Sequence, residues 1–384
     1  MKKQKIVFIT TLYSPFQIEL AKAINSLELE YYVIFTMNLD NKRGENSRAA
    51  HWQPTNNYSK QILQIYKWKS VSELASGLEE ELHRIKPDLV LASGILSSPV
   101  FAAIKKLKVK GFISYPLGFW LESANSTTGV LKAILKKEIA RRQLCHMDFA
   151  FAIGSNALNY YSGIAPKLPI YDVPYGQDFR GFWDINRTTN DGCVKFLLSG
   201  QLLKRNNIKS IIKALLILHQ KRPNQWQLIV SGAGPESNLL VRAANELSDS
   251  GWSPIVFFRE FNDWGDRISS FKSSDVLLCP SLHAGWGLVV PEAVASGMPI
   301  ITTEFVNSAR RFVISGFNGL VIKPEPHCIA EAMEFFIDNP ADILEMGERG
   351  RPLSITGEVS YVAELFQKHI KSILKVSTSP RIEL

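Results

Sequence analysis

Cysteine is scarce. The 384 residues contain four, Cys145, Cys193, Cys279 and Cys328, with no metal-type spacing, so a disulfide framework and a Cys-based zinc site are both poor readings. Long apolar runs are also missing. No segment reaches the about 20 unbroken apolar residues of a transmembrane helix, and the nearest, Leu89 to Ile104, is interrupted by Ser93, Gly94, Ser97, Ser98 and Pro99. The run Ile6 to Ile9 behind Lys2, Lys3 and Lys5 is too short for the apolar region of a signal peptide and reads as a first strand. A reduced, cytoplasmic chain is expected. No Asp-x-Asp pair occurs, so a metal clamp has no obvious ligands and none is expected.

What is present is a globular composition: 46% hydrophobic and 21% charged residues. The length predicts two domains of ordinary size. The formal charge of +8 points to an anionic partner, and its distribution narrows the choice. Residues 1–180 carry 23 basic and 15 acidic side chains, whereas residues 181–384 carry 21 of each. Within the first half, Lys105, Lys106, Lys108, Lys110, Lys132, Lys136, Lys137, Arg141 and Arg142 are opposed only by Glu122 and Glu138 between residues 101 and 142. Lys132 to Arg142 alternates charge with Ile134, Leu135 and Ile139, as a helix on an anionic membrane surface would, or as a core-facing helix with a solvated basic face would. A nucleic-acid partner is not expected, because no reading module is recognisable.

Short β-rich runs alternate with helical patterns, the signature of parallel sheets built from βαβ units. Strands are predicted in the first half at Lys5–Thr10, Tyr31–Phe35, Leu89–Ala92, Gly111–Ser114 and Phe149–Ile153. A helix is predicted over Val71–Ile85 from the spacing of Val71, Leu74, Leu78, Leu82 and Ile85, and residues 38–60 read as a surface loop. The second half predicts strands at Val194–Ser199, Gln227–Ser231, Pro254–Phe258, Val276–Cys279, Pro299–Thr302 and Leu320–Ile322. The expected domains are 1–178 and 179–384, hinged near 174–190, with an interdomain cleft and with the final helix over Tyr361–Leu374 free to cross back to the first.

The most informative segment runs from Cys279 to Pro299: strand end, Gly285 and Gly287 in a loop, Pro291 near a helix start, Glu292 in the first turn, then Gly297 and another strand. Such glycines let backbone approach a ligand, and a helix start offers unpaired N–H groups to phosphate. A tight strand-to-helix connection with a helix-dipole carboxylate explains the same spacing.

Pro280-Ser281, Gly285-Trp286-Gly287-Leu288, Glu292, Gly297-Met298-Pro299 and Gly316-Phe317-Asn318-Gly319 together resemble, in order, the donor-binding region of retaining glycosyltransferases of family 4. The stretch from Phe196 to Leu202 with Lys204 and Arg205, the turn Ser231 to Pro235, and Pro174-Tyr175-Gly176-Gln177-Asp178 are similar to further motifs of that family. The resemblance is strong over residues 148–340 and architectural before that. It implies an α/β chain of GT-B type, two Rossmann-like doubly wound domains, that moves a sugar with retention from a UDP- or GDP-linked donor to a glycan or a polyprenyl- or lipid-linked acceptor in surface-polysaccharide synthesis. The nucleotide sugar is then a substrate, and no cofactor is expected.

By the same resemblance, Gly200, Lys204, Arg205, Gly285, Trp286, Gly287, Leu288 and Glu292 bind the donor. Lys204 and Arg205 would neutralise the diphosphate, and Glu292 would hold ribose hydroxyls. Tyr13, Ser14 and Phe16 border the acceptor, while Glu122 and His283 are the candidate catalytic side chains. The sequence departs from the pattern where Ala284 replaces an acidic residue, Gln201 an Arg and Asn206 a Lys, and where Ser114 to Glu122 lacks a His. These departures keep open a second reading, a catalytically weak or inactive nucleotide-sugar- or glycan-binding subunit.

Overall fold

The computed structural model describes residues 3–11, 14–38, 63–93, 99–122, 130–188, 192–248, 253–257 and 267–378. Two compact units are formed, one by residues 1–178 and 357–384, the other by 179–356. Of the loop read over 38–60, Asn38 instead ends a strand, and residues 39–60 lie outside the described residues, as do Tyr13 and Phe258.

The first unit contains β1 (Gln4–Thr10), α1 (Pro15–Asn25), β2 (Leu29–Asn38), β3 (Leu63–Trp68), α2 (Val71–Ile85), β4 (Leu89–Ser93), α3 (Pro99–Val109), β5 (Leu117–Leu121), α4 (Val130–Leu144), β6 (Phe149–Ala152), α5 (Ser155–Ile164) and β7 (Ile170–Asp172). All described strand pairings are parallel, in the order β3-β2-β1-β4-β5-β6-β7. The helix predicted over Val71–Ile85 forms with those bounds. Ser70 Oγ caps it by accepting from Glu73 N–H at 3.1 Å, Glu73 reaches back to Lys69 N–H at 2.9 Å, and Lys86 ends it at φ 54°.

One strand expectation is corrected. Residues 111–114 are not a strand; the strand is Leu117–Leu121, whose five residues are all buried. Gly118 inside it looks like a turn signal in sequence, but a Cβ there would lie 2.4 Å from the Phe149 ring of the adjacent strand. The glycine therefore serves close packing.

The second unit contains α6 (Arg180–Trp183), β8 (Val194–Ser199), a 3-10 turn (Lys204–Asn206), α7 (Ile208–Lys221), β9 (Trp226–Ser231), α8 (Ser237–Leu247), β10 (Ile255–Phe257), α9 (Arg267–Lys272), β11 (Val276–Cys279), α10 (Val289–Ala295), β12 (Ile300–Thr302), α11 (Ala309–Phe312), β13 (Gly319–Val321), α12 (Pro326–Asp338) and α13 (Pro340–Gly350). Its parallel sheet runs β10-β9-β8-β11-β12-β13. The core includes Phe196, Leu228, Val230, Val276 and Ile301, packed with Ile211, Leu215, Met333 and Phe336 of the covering helices. Burial on both faces explains why these strands read as continuous apolar runs.

An aspartate before a strand recurs as a register pin. Asp88, Asp148 and Asp275 each accept from the backbone N–H of Lys5, Leu117 or Lys195 on the neighbouring strand, at 2.7, 2.9 and 2.7 Å. Each also donates its own N–H to the same residue's carbonyl. The last helix, α14 (Val359–Thr378), belongs to the first unit and packs on α1. Its Phe366 ring lies 5.4 Å from Tyr31 and 5.8 Å from Trp120.

Candidate active site

In the second unit the strand order reverses beside β8, so the loops after β8 and β11 leave the sheet in opposite directions. Such a switch point opens a crevice at the carboxyl ends of the strands. The loops read as donor-binding start there.

The β8 loop is zipped to the β9 loop. Gly200 N–H donates to Ser231 O at 2.9 Å, Leu202 N–H to Ala233 O at 3.0 Å and Glu236 N–H to Leu202 O at 3.0 Å. The approach is close enough that a Cβ on Gly232, at φ 150°, would lie 1.9 Å from Gly200 O. Lys204 and Arg205 follow on the 3-10 turn, both exposed. Asn207 ends that turn in the left-handed region and donates from Nδ2 to Pro280 O at 3.2 Å and Pro324 O at 2.7 Å. Arg205 O accepts from Leu282 N–H at 2.8 Å. The backbone of the basic turn is thus tied to the β11 loop.

The β11 loop is strapped by the segment after β12. Ala284 N–H donates to Phe305 O at 3.0 Å, Asn307 Nδ2 to Gly285 O at 2.7 Å, Ser308 N–H to Trp286 O at 2.9 Å and Ser308 Oγ to Gly287 O at 2.8 Å. None of these bonds uses the N–H groups of Gly285, Trp286 or Gly287. Gly287 sits at φ 94°, and a Cβ there would meet Val306 Cγ1 at 2.9 Å. The Trp286 side chain is buried edge-on against Phe312 at 6.1 Å, so its contribution to the loop surface is backbone. His283 and Leu288 are half-buried in the same loop.

Glu292 lies in the first turn of α10, buried, with Oε1 3.1 Å from Arg267 Nε of α9. Arg267 is equally buried and stacks over the Phe182 ring at 5.3 Å. The carboxylate placed by sequence as a ribose ligand is therefore held by a cation that no motif announced. Two more arginines secure the far end of α10. Arg187 donates to Ser296 O at 2.8 Å and Arg351 to Ala295 O at 3.0 Å, placing cations at a helix C-terminus. Burial lowers the Arg187 pKa to about 10. Asn318, in the Gly-x-Asn-Gly turn, is consumed structurally, accepting from Ile314 N–H at 2.7 Å and donating to Phe312 O at 2.8 Å.

In the first unit, Ser14 and Phe16 follow β1, and Glu122 follows β5. The structure brings Phe16 and Glu122 together through Tyr175. The Tyr175 hydroxyl donates to Glu122 Oε1 at 2.7 Å, and its ring lies 4.7 Å from Phe16 and 6.4 Å from Trp120. Tyr161 donates to Glu122 O at 3.0 Å. Burial first, then the Glu122 charge, raises the Tyr175 pKa well above its ordinary value. The hydroxyl therefore remains a donor at neutral pH. Tyr175 sits in the motif around residue 176, where the sequence alone gives it no site role. A small cavity of about 20 Å³ adjoins it, lined by Phe8, Phe16, Gln17, Ser93, Trp120 and Tyr175 among others. Among the described residues no group of three or more His, Cys, Asp or Glu side chains is placed to hold a metal ion.

Residues 182–352 match the family described as glycosyl transferases group 1. The group 1 segment takes in every loop of the second-unit site described above. The D-inositol 3-phosphate glycosyltransferase of Pseudarthrobacter chlorophenolicus is 29% identical over 205 residues, 50% of this chain and 46% of that protein. The poly(glycerol-phosphate) alpha-glucosyltransferase of Bacillus subtilis is 26% identical over 129 residues, 34% of this chain and 18% of that one. The chain thus spans about half the length, or less, of these curated relatives. Among solved structures, a trehalose-6-phosphate structure from E. coli bound with UDP-2-fluoro glucose superimposes with a TM-score of 0.75 at 12% identity, covering 97% of this chain and 99% of that one. Sucrose-phosphate synthase from Thermosynechococcus elongatus gives 0.72 at 14%, covering 97% and 100%. At these identities the likeness concerns fold: two Rossmann-like parallel-sheet units of the GT-B type.

Proposed function

We propose that the chain is a glycosyltransferase that moves a sugar from a nucleoside-diphosphate donor to a glycan or a polyprenyl- or lipid-linked acceptor, with retention, in surface-polysaccharide synthesis. The observation that carries the reading is the joining of the Lys204–Arg205 turn to the Gly285–Gly287 loop at the switch point, through Arg205 O and Leu282 N–H. Exposed cations and loop N–H groups beside one another suit a diphosphate, whose leaving charge they would offset in place of a metal. Glu292, paired with Arg267, would accept from ribose hydroxyls. His283 would donate to the sugar or phosphate, and Glu122, steadied by Tyr175, would assist the acceptor hydroxyl. The relatives named above are glycosyltransferases, which supports the class without fixing the sugar.

A specific observation favours a second reading. Position 284 pairs by backbone with Val306 and carries only a methyl group where the resembling family has a carboxylate. A binding subunit with little turnover would tolerate that loss. Incubation with UDP- and GDP-sugars, following slow donor hydrolysis and transfer to membrane extracts, separates the two. Turnover supports the transferase; binding to a nucleotide sugar with no turnover in any extract supports the subunit.

A further inference from the structure

The first unit has a switch point of its own. Its strand order reverses between β1 and β4, so the loops after these two strands part over a crevice at the carboxyl ends. Thr10 and Ser93 end the two strands there, and the Ser93 hydroxyl donates to Thr10 Oγ1 at 2.8 Å. The small cavity beside them takes its walls from Ser93, from Phe16 and Gln17 of α1, from Trp120 of β5 and from Tyr175. Ser93 and Gln17 are half-buried, and Glu122, bonded to the Tyr175 hydroxyl, is exposed. Carboxylate, hydroxyl, amide and aromatic rings thus meet in one place.

Cations are absent from the sequence that surrounds this place. The segments that follow β1, β4, β5, β6 and β7, residues 11–14, 94–98, 122–129, 153–154 and 173–178, contain no Lys, Arg or His, and their only charged side chains are Glu122 and Asp178. The start of α1 adds little for an anion. Pro15 has no N–H, and Gln17 N–H is turned to Ser14 O at 3.2 Å. Much of the positive charge of this unit is held at the opposite end of the sheet. Lys108, in the last turn of α3, lies 3.6 Å from Asp148, the register pin ahead of β6, and donates to His146 O at 2.6 Å. Lys5, near the start of β1, donates to Ile85 O at 3.2 Å, and Arg141 and Arg142 fall in the last turn of α4.

Neutral donors and acceptors with one carboxylate suit hydroxyl groups, which can give a proton to Glu122 Oε2 or Ser93 Oγ and accept one from the Gln17 amide. A phosphate ester fits badly, because its charge would face Glu122 with no cation to offset it. We infer that the acceptor ring taken by this crevice is an uncharged sugar, its hydroxyls met by Gln17, Ser93 and Glu122, and that a phosphate on that ring is turned away. The inference rests on the transferase reading and deepens it by naming the class of the acceptor. It also reverses what the sequence's overall charge suggests, since the basic first half keeps its acceptor crevice free of base.

The test is saturation-transfer NMR titration of the full chain, in the presence of UDP or GDP, with glucose, galactose, mannose and N-acetylglucosamine, each against its own 6-phosphate. At least one neutral sugar should bind, and its phosphate ester should bind about ten-fold more weakly at low salt, the gap closing as salt rises. Glu122→Gln keeps an acceptor for Tyr175 and removes the charge, so the phosphate ester should gain about ten-fold with the melting temperature unchanged. Gln17→Lys, which adds a cation at the cavity wall, should shift preference toward the ester by a similar factor. Nucleotide sugars are titrated into the same proteins. Their failure to bind rejects the transferase reading itself. Nucleotide-sugar binding with the phosphate ester equal or preferred in the wild type, with no sugar of the panel bound, or with a preference that neither variant moves, overturns this inference alone.

Discussion

The carbonyl of Arg205 accepts a hydrogen bond from the N–H of Leu282 at 2.8 Å, joining the basic turn after β8 to the glycine loop after β11. The bond uses backbone on both sides, so it fixes where the Arg205 side chain starts without engaging the guanidinium. The Lys204 and Arg205 side chains proposed to meet the diphosphate are therefore expected to be dispensable to the fold, and the glycines of the adjoining turn are not.

Gly232→Ala tests the second half of that statement. The new methyl would meet Gly200 O, backbone that cannot rotate away, at a φ that L residues rarely adopt. A loss of about 2 kcal/mol or more is expected in chemical denaturation. Gly163→Ala is the control, since it lies in α5 with nothing within 4 Å of the added carbon. It should be neutral or stabilising by up to about 1 kcal/mol.

The buried pair of Arg267 and Glu292 predicts strong coupling. Arg267→Met alone leaves a buried carboxylate without its cation, and a loss of about 3–5 kcal/mol is expected. Arg267→Met combined with Glu292→Met should recover much of it, because both charges then leave the interior. Additive losses in the double-mutant cycle would contradict a stabilising pair.

What was legible depended on whether a signal was local. Val276–Cys279 and Val194–Ser199 read as strands because central parallel strands are apolar throughout, and the loops after them carry their glycines in sequence order. Leu117–Leu121 was missed because Gly118 answers to Phe149, about 30 residues away. Leu63–Trp68 was missed because polar residues interrupt it and it pairs on one side only. The ties from Arg267 to Glu292 and from Tyr175 to Glu122 join separate elements, so no spacing rule reaches them. Trp286 illustrates the limit within a motif, because the motif places its backbone in the loop and only packing buries its ring.

Tyr175→Phe removes the hydroxyl that holds Glu122 and keeps the ring between Phe16 and Trp120. If Glu122 assists the acceptor, turnover should fall about ten-fold with donor KM unchanged, and the pH dependence of kcat should shift. Unchanged kcat and pH profile would remove Glu122 from the mechanism. The melting temperature should move little.

Alkaline pH should destabilise the first unit. Burial raises the pKa values of Tyr31, Tyr161 and Tyr175 and pushes that of Tyr115 up to about 12. A folded pKa above the unfolded value of about 10 means that the folded state holds its proton longer. Stability is therefore complete below pH 10 and declines as pH rises toward 12. Thermal melts followed with phenolate absorbance should show ionisation arriving together with unfolding. Ionisation of all eleven tyrosines near pH 10 without unfolding would contradict the burial assigned to them.

The central claim is tested most directly by calorimetric titration of UDP, GDP and their sugars into wild-type protein and into Lys204→Ala/Arg205→Ala. At least one nucleotide sugar should bind the wild type. The double variant should bind it about 10- to 100-fold more weakly, as expected for lost charge-assisted hydrogen bonds, with an unchanged melting temperature. Failure of every nucleotide sugar to bind, or equal affinity in the two proteins, would contradict a diphosphate site at the switch point.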